Sequence, residues 1–136
     1  MYATITQLRN ILPDVILRRL SDDDDSGSYD ETILNDCLDS AASEMNAYLA
    51  RRVILPLIAP YPAILIKLEL DIGIYNLYSR LKEKYPETRQ VRYDNAMRLL
   101  KDFADGKAEI AGLVTRGLNY YSSRTQIYTE DFMSQF

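Results

Sequence analysis

The stretch from Asp30 through Pro56, DETILNDCLDSAASEMNAYLARRVILP, constrains this chain more than any other. Asp30 is a good N-cap, because its carboxylate can accept a bond from the free N–H groups of a first helical turn. From there Leu34, Leu38, Ala41, Met45, Tyr48 and Arg52 recur at alternating steps of four and three, which puts them on one face of a helix. Glu31, Asp36, Asp39, Glu44 and Asn46 fall mostly on the other face. No Gly or Pro interrupts before Pro56, so the pattern predicts a helix of about 22 residues, roughly 33 Å long. A helix this long and amphipathic is stable only when other helices cover its apolar stripe. The chain is therefore expected to be a helical packing unit.

The flanking segments supply the covering helices. Thr4 to Gln7 is a capping-box pattern, with Leu8, Ile11 and Leu12 behind it. Pro13 closes that turn and opens a second, in which Val15, Ile16, Leu17 and Leu20 are apolar. These two short helices are expected to form a lid on the long one. Pro56, Pro60 and Pro62 exclude a regular helix from the following link. Pro62 can then open a helix running through Lys84, with Ile64, Leu68, Asp71, Tyr75 and Tyr78 on one face. Pro86 breaks it, and Glu87 to Ala104 forms the last long helix. In that helix Val91, Met97, Leu100 and Phe103 are placed inward, Arg89, Arg92, Arg98 and Lys101 are placed outward, and Gly106 is a natural stop. The fold class is all-α: three long helices at 31–52, 63–84 and 87–104 under a short N-terminal helical pair. At 136 residues there is room for one hydrophobic core and not two. Residues 1–110 read as a helical domain and 111–136 as an extended C-terminal arm. The arm is rich in Tyr120, Tyr121, Ile127, Tyr128, Phe132, Met133 and Phe136, too sticky for a linker and suited to ordering on a partner.

Two polar features invite a chemical reading. Asp71 lies on an apolar stripe, and a buried carboxylate needs a cation or several donors. Arg52, or failing that Arg51, is the expected partner across an antiparallel hairpin. The loop SDDDDSGSY offers Asp22, Asp24, Ser26 and Asp30 at calcium-loop positions, but Ile33 stands where a bidentate Glu belongs. These four are weak metal candidates beside the plainer reading of a solvated loop that feeds the Asp30 cap. With no His in the chain, the commonest general base and metal ligand are missing. There is no phosphate-binding glycine motif and no zinc spacing, so no catalytic residue, cofactor or enzyme activity is expected. Cys37 is the single cysteine, which excludes an intrachain disulfide. No basic–apolar–small segment opens the chain and no apolar run approaches 20 residues, so neither secretion nor membrane spanning is expected. The net charge of −4 argues against nonspecific nucleic-acid binding. That charge is split as −6 over Met1–Asp71 and +2 over Ile72–Phe136, an asymmetry able to orient head-to-tail contacts between copies.

Three pieces then combine: YLARRVILPL from Tyr48, LDIGIYNLY from Leu70, and RYDNAMRLLKDFADGKAEI from Arg92. With the MYAT opening and the acidic loop before them, they resemble the small virion protein of Mu-like bacteriophages and prophages, the gene-product-thirty-six family. That family is similar in helical layout to the head–tail connectors of tailed phages. The resemblance covers Met1 to about Gly112. Where the family usually reads Gly-Arg-Tyr after the YL pair, only Arg52 keeps the pattern here, and its fuller calcium-like loop is reduced to DDDDSG. The resemblance implies a head-completion or adaptor protein, forming a homo-oligomeric ring between the portal and tail-completion proteins. Its place would be the virion neck, after assembly in the bacterial cytoplasm, with no membrane or sequence-specific nucleic-acid partner. Within that picture Arg116, Tyr120, Tyr121, Arg124, Tyr128, Phe132 and Phe136 are the expected assembly residues of the arm. The rival readings are a small cation-binding or regulatory helical protein built on the acidic loop, and an enzyme acting through Asp71.

Overall fold

Local capping chemistry decides where each helix begins. The computed structural model describes residues 1–81 and 86–115, and every regular element among them is an α-helix. Helix α1, Ile5–Arg9, starts on a complete capping box in which the Gln7 N–H donates to Thr4 Oγ1 at 3.2 Å and the Thr4 N–H donates to Gln7 Oε1 at 2.9 Å. Helix α2, Asp14–Ser21, follows Pro13 directly, and Arg9 and Asp14 bridge the two with a paired contact at 3.0 and 3.1 Å. Helix α3, Glu31–Leu49, is capped by Asp30, whose carboxylate accepts from the N–H groups of Thr32 and Ile33. Helices α4, Ala63–Arg80, and α5, Glu87–Ala104, follow Pro62 and Pro86, as the sequence predicts.

The ends are equally local. Gly106, at φ +81°, closes α5 in a Schellman motif: its N–H reaches the Phe103 carbonyl at 3.1 Å, and the Lys107 N–H reaches the Asp102 carbonyl at 2.7 Å. Helix α3 stops three residues earlier than its periodicity predicts. The N–H groups of Arg51 and Arg52 turn to the carbonyls of Tyr48 and Leu49, a tighter i→i+3 pattern that swings both arginines off the helix axis. Helix α4 ends at Arg80 with Leu81 as its C-cap, short of the expected end at Lys84; residues 82–85 and the arm from Arg116 onward lie outside the described residues.

Helix α4 is the centre of the molecule because it is apolar on nearly every side. One side, with Leu65, Leu68 and Ile72, meets Met45, Leu49, Leu100 and Phe103 of α3 and α5. The other, with Leu70, Ile74 and Leu77, meets Leu34 and Leu38 of α3 and Leu8, Leu12, Leu17 and Leu20 of the N-terminal pair. The short pair thus covers both α3 and α4, where the sequence placed it on α3 alone. Val91 is a correction as well. The inward stripe of α5 runs Tyr93, Ala96, Leu100, Phe103, and Val91, two residues and some 200° of rotation from Tyr93, is left exposed.

Gly73 sets how closely α3 and α4 approach. A Cβ at this position would lie 2.9 Å from Leu38 Cδ2, and Leu38 is fully buried. Gly73→Val is therefore expected to lower unfolding stability by about 1–3 kcal/mol through overpacking, measured by denaturant unfolding followed by circular dichroism. An unchanged midpoint would show that Leu38 can move aside freely.

Candidate assembly surface

The acidic loop is folded on itself. Asp22 accepts from the N–H groups of Ser26 and Gly27, both at 2.8 Å, and from the Ser26 hydroxyl at 2.9 Å. Those backbone bonds hold its carboxyl below the usual aspartate range. Asp23 pairs with Arg80, which also donates to the Leu20 carbonyl at 2.7 Å. Asp30 is turned toward α3, and its own N–H donates to Ser21 Oγ at 3.0 Å. Of the four metal candidates, Asp22 and Ser26 are bonded to each other, Asp30 is occupied by its helix, and Asp24 is exposed. Among the described residues no three Asp, Glu, Cys or His side chains are grouped to hold a metal ion.

The structure gives Asp71 and Arg52 different partners from the pairing predicted between them. Asp71 takes Lys67, one turn earlier on α4, at 2.8 Å. Arg52 crosses instead to the end of α5. Its Nη1 donates to the carbonyls of Phe103 and Ala108 at 3.0 and 3.2 Å, its Nη2 donates to Glu109 at 3.0 Å, and the guanidinium lies 4.7 Å from the Phe103 ring centre. Arg51 goes the same way, to Asp105 at 3.4 Å. The cause is the early end of α3: the tight turn aims both side chains at a helix C-terminus, whose carbonyls and negative dipole end attract cations.

Among the described residues the most deeply buried carboxylate is Glu69, not Asp71. Glu69 Oε1 accepts the Tyr2 N–H at 2.6 Å, while Oε2 is buried without a hydrogen-bond partner. Burial raises its pKa, against the opposing pull of the Tyr2 and Ala3 N–H groups and the chain's amino terminus. Tyr2 is further held by Asn46, to which its hydroxyl donates, and by an edge contact with Tyr61 at 4.9 Å between ring centres. The first residues are thus strapped across α3 and α4. The available signal was the setting of Glu69 between Leu68 and Leu70 on a helix that is apolar on nearly every side.

A polar cleft of about 500 Å³ lies between α3 and α4, lined by Asp36, Cys37, Glu44, Asn76 and Arg80 among others. Its groups are already engaged, since Asn76 donates to Glu44 at 3.0 Å and Arg80 is held as above. Burial pushes the Cys37 thiol up, away from the reactive thiolate.

The surface with unmet demand is apolar. In the link between α3 and α4, Val53, Leu55, Leu57 and Tyr61 pack inward on the core, and this alternation turns Ile54 and Ile58 outward. Gly112, at φ +90°, folds the chain back so that a Cβ there would sit 3.0 Å from Pro62 Cγ. This close approach lays Leu113 on the core and leaves Val114 outside, beside the link. Ile54, Ile58 and Val114 are 73%, 88% and 89% exposed. Among the described residues only Val15, at 74%, is a comparably exposed large apolar side chain. The three line one open cleft of about 370 Å³ with Pro56, Leu57 and Leu113. Singly exposed apolar residues need no explanation, but a cluster marks an interaction site. The sequence carried a signal for it: Ile54 and Ile58 sit among prolines, where no helical stripe could bury them. The assembly residues expected in the arm, from Arg116 to Phe136, lie outside the described residues, and Thr115, just before them, lines this cleft.

The family described as Bacteriophage Mu, Gp36 matches residues 2–123, which takes in all five helices. No curated protein matches the chain.

Proposed function

This chain belongs to the Bacteriophage Mu, Gp36 family, and from that premise we propose that it is a structural protein of the phage particle, a head–tail connector whose copies form a ring at the portal–tail junction. The observation that carries this reading is the apolar cleft of Ile54, Ile58 and Val114, which a lone copy leaves in water. The charge split, −6 over residues 1–71 and +2 over residues 72–136, gives copies of the chain opposite charges with which to meet one another. A bundle pinned by caps, a Schellman motif and two continuous apolar clusters suits a rigid adaptor. In this reading the chain is not an enzyme and takes no cofactor; its partners are its own copies, the portal and tail-completion proteins.

Location in the particle tests it. Phage particles carrying this chain should contain it at a fixed copy number. Cryo-electron microscopy of the neck should show the five-helix body repeated around the axis beneath the portal. Complete particles that lack the chain, or density that places it elsewhere, overturn the connector reading.

A further inference from the structure

We propose that the cleft of Ile54, Pro56, Leu57, Ile58, Leu113 and Val114 is the seat for residues 116–136 of a second copy of this chain. The inference rests on the ring reading above and adds which surface joins neighbours and what fills it. The cleft has the chemistry of a receptor for apolar side chains, open to solvent and walled by aliphatic groups and Pro56 of the link. The chain leaves its described part at Thr115, on the cleft's own rim. The 21 residues beyond it hold Tyr120, Tyr121, Ile127, Tyr128, Phe132, Met133 and Phe136, of which the aromatics and Met133 are types enriched at interface centres. At about 3.3 Å per residue those 21 residues span roughly 70 Å when extended. The longest helix of the body, the 19 residues of α3, is roughly 28 Å. The segment is therefore long enough to pass its own body and reach an equivalent cleft on a neighbour. Each copy then donates one segment and offers one seat, the heterologous arrangement from which rings close. Arg116 and Arg124 of the segment are balanced by Glu130 and Asp131, and no charged residue lines the seat, so the contact rests on the apolar side chains.

Two full-length variants and their mixture test the proposal by light scattering and native mass spectrometry. Ile58→Asp spoils the seat and leaves the segment intact; Tyr128→Asp with Phe132→Asp does the reverse. Ile58 is exposed, so unchanged circular dichroism serves as the folding control. Each variant alone is expected to be monomeric, and an equimolar mixture is expected to form a complex of two chains, because one intact seat and one intact segment remain. If Ile58→Asp assembles like the parent chain, a different surface builds the ring and this seat is wrong, while the ring reading stands. If the parent assembles and the mixture stays monomeric, the segment does not dock on a second copy and the proposal fails. A parent chain that is itself monomeric means that the ring needs the portal to form, and a labelled peptide of residues 116–136 then decides the seat. Saturable binding to the full-length Tyr128→Asp, Phe132→Asp chain, weakened at least tenfold by adding Ile58→Asp, keeps it. Equal binding with and without that change overturns it.

Discussion

Arg52→Met is expected to lower the unfolding free energy by about 2–5 kcal/mol, among the largest losses any single substitution here should produce. Arg52 is only 9% exposed, and its guanidinium supplies the donors for two backbone carbonyls, those of Phe103 and Ala108. The Ala108 carbonyl is then left without a donor, at about 1–3 kcal/mol, and the Phe103 carbonyl, which keeps the Gly106 N–H, loses a charge-assisted bond worth about 1.5–3 kcal/mol; together these account for most of the loss. The ion pair with Glu109 contributes little, because that carboxylate side chain is 71% exposed and such pairs are worth about 0–1 kcal/mol. Methionine keeps an unbranched apolar stem against the Phe103 ring, which separates lost hydrogen bonding from lost packing. Lysine is not an adequate replacement, since its ammonium lacks the planar fork that serves several acceptors at once. Denaturant unfolding at neutral pH, repeated at high salt, measures the effect. The loss in Arg52→Met should persist with salt, and Glu109→Ala should cost under about 1 kcal/mol. Equal losses in the two variants would mean that the ion pair, not carbonyl capping, holds α5 to the end of α3.

Arg52 also shows where reading the sequence succeeds and where it stops. The Thr4–Gln7 box, the Asp30 cap, the helix starts after Pro13, Pro62 and Pro86, and the stop at Gly106 are all visible in the chain. Each depends on groups within four residues of one another, so the local string contains the whole interaction. The all-α class follows from those signals together with the periodicity of α3 and α5. The partner of a long side chain is different, because it depends on the angle at which the backbone leaves a helix. Three residues of overestimated helix were enough to send Arg52 toward α4 on paper and toward α5 in the structure. Glu69 was missed for a related reason. The expected core stripe is one face of α4, whereas the N-terminal pair buries a second face, whose apolar residues Leu70, Ile74 and Leu77 lie outside that stripe. The outward turn of Ile54 and Ile58 is legible only in part, since the prolines mark a link that no helical stripe can bury without saying which of its side chains face water.

Glu69 yields the second large effect, and its sign changes with the residue that replaces it. Glu69→Leu leaves the Tyr2 N–H without its acceptor and releases the strap that Tyr2 forms with Asn46 and Tyr61; about 2–4 kcal/mol of stability should go with it. Glu69→Gln keeps a carbonyl oxygen for the Tyr2 N–H and removes a buried charge. It should therefore be at least as stable as the parent chain at pH 7. Acidity separates the two terms. Burial raises the carboxyl's pKa in the folded chain above its ordinary value, so the folded state holds that proton more tightly than the unfolded one. Its contribution to stability is then fully present below the ordinary glutamate value of about 4.3 and is lost as pH rises through the raised folded value. On going down from neutral pH, the parent chain should gain on Glu69→Gln across that window, and the difference should level off below it. Comparing parent and variant cancels the opposite trend from Asp22, whose lowered pKa removes stability in more acidic solution. The measurement is unfolding free energy against pH for the three chains. A Glu69→Leu chain as stable as the parent would show that the carboxylate does not hold the N-terminal strap. A parent that instead loses ground to Glu69→Gln on acidification through this window would show that the charged form is the one the fold prefers.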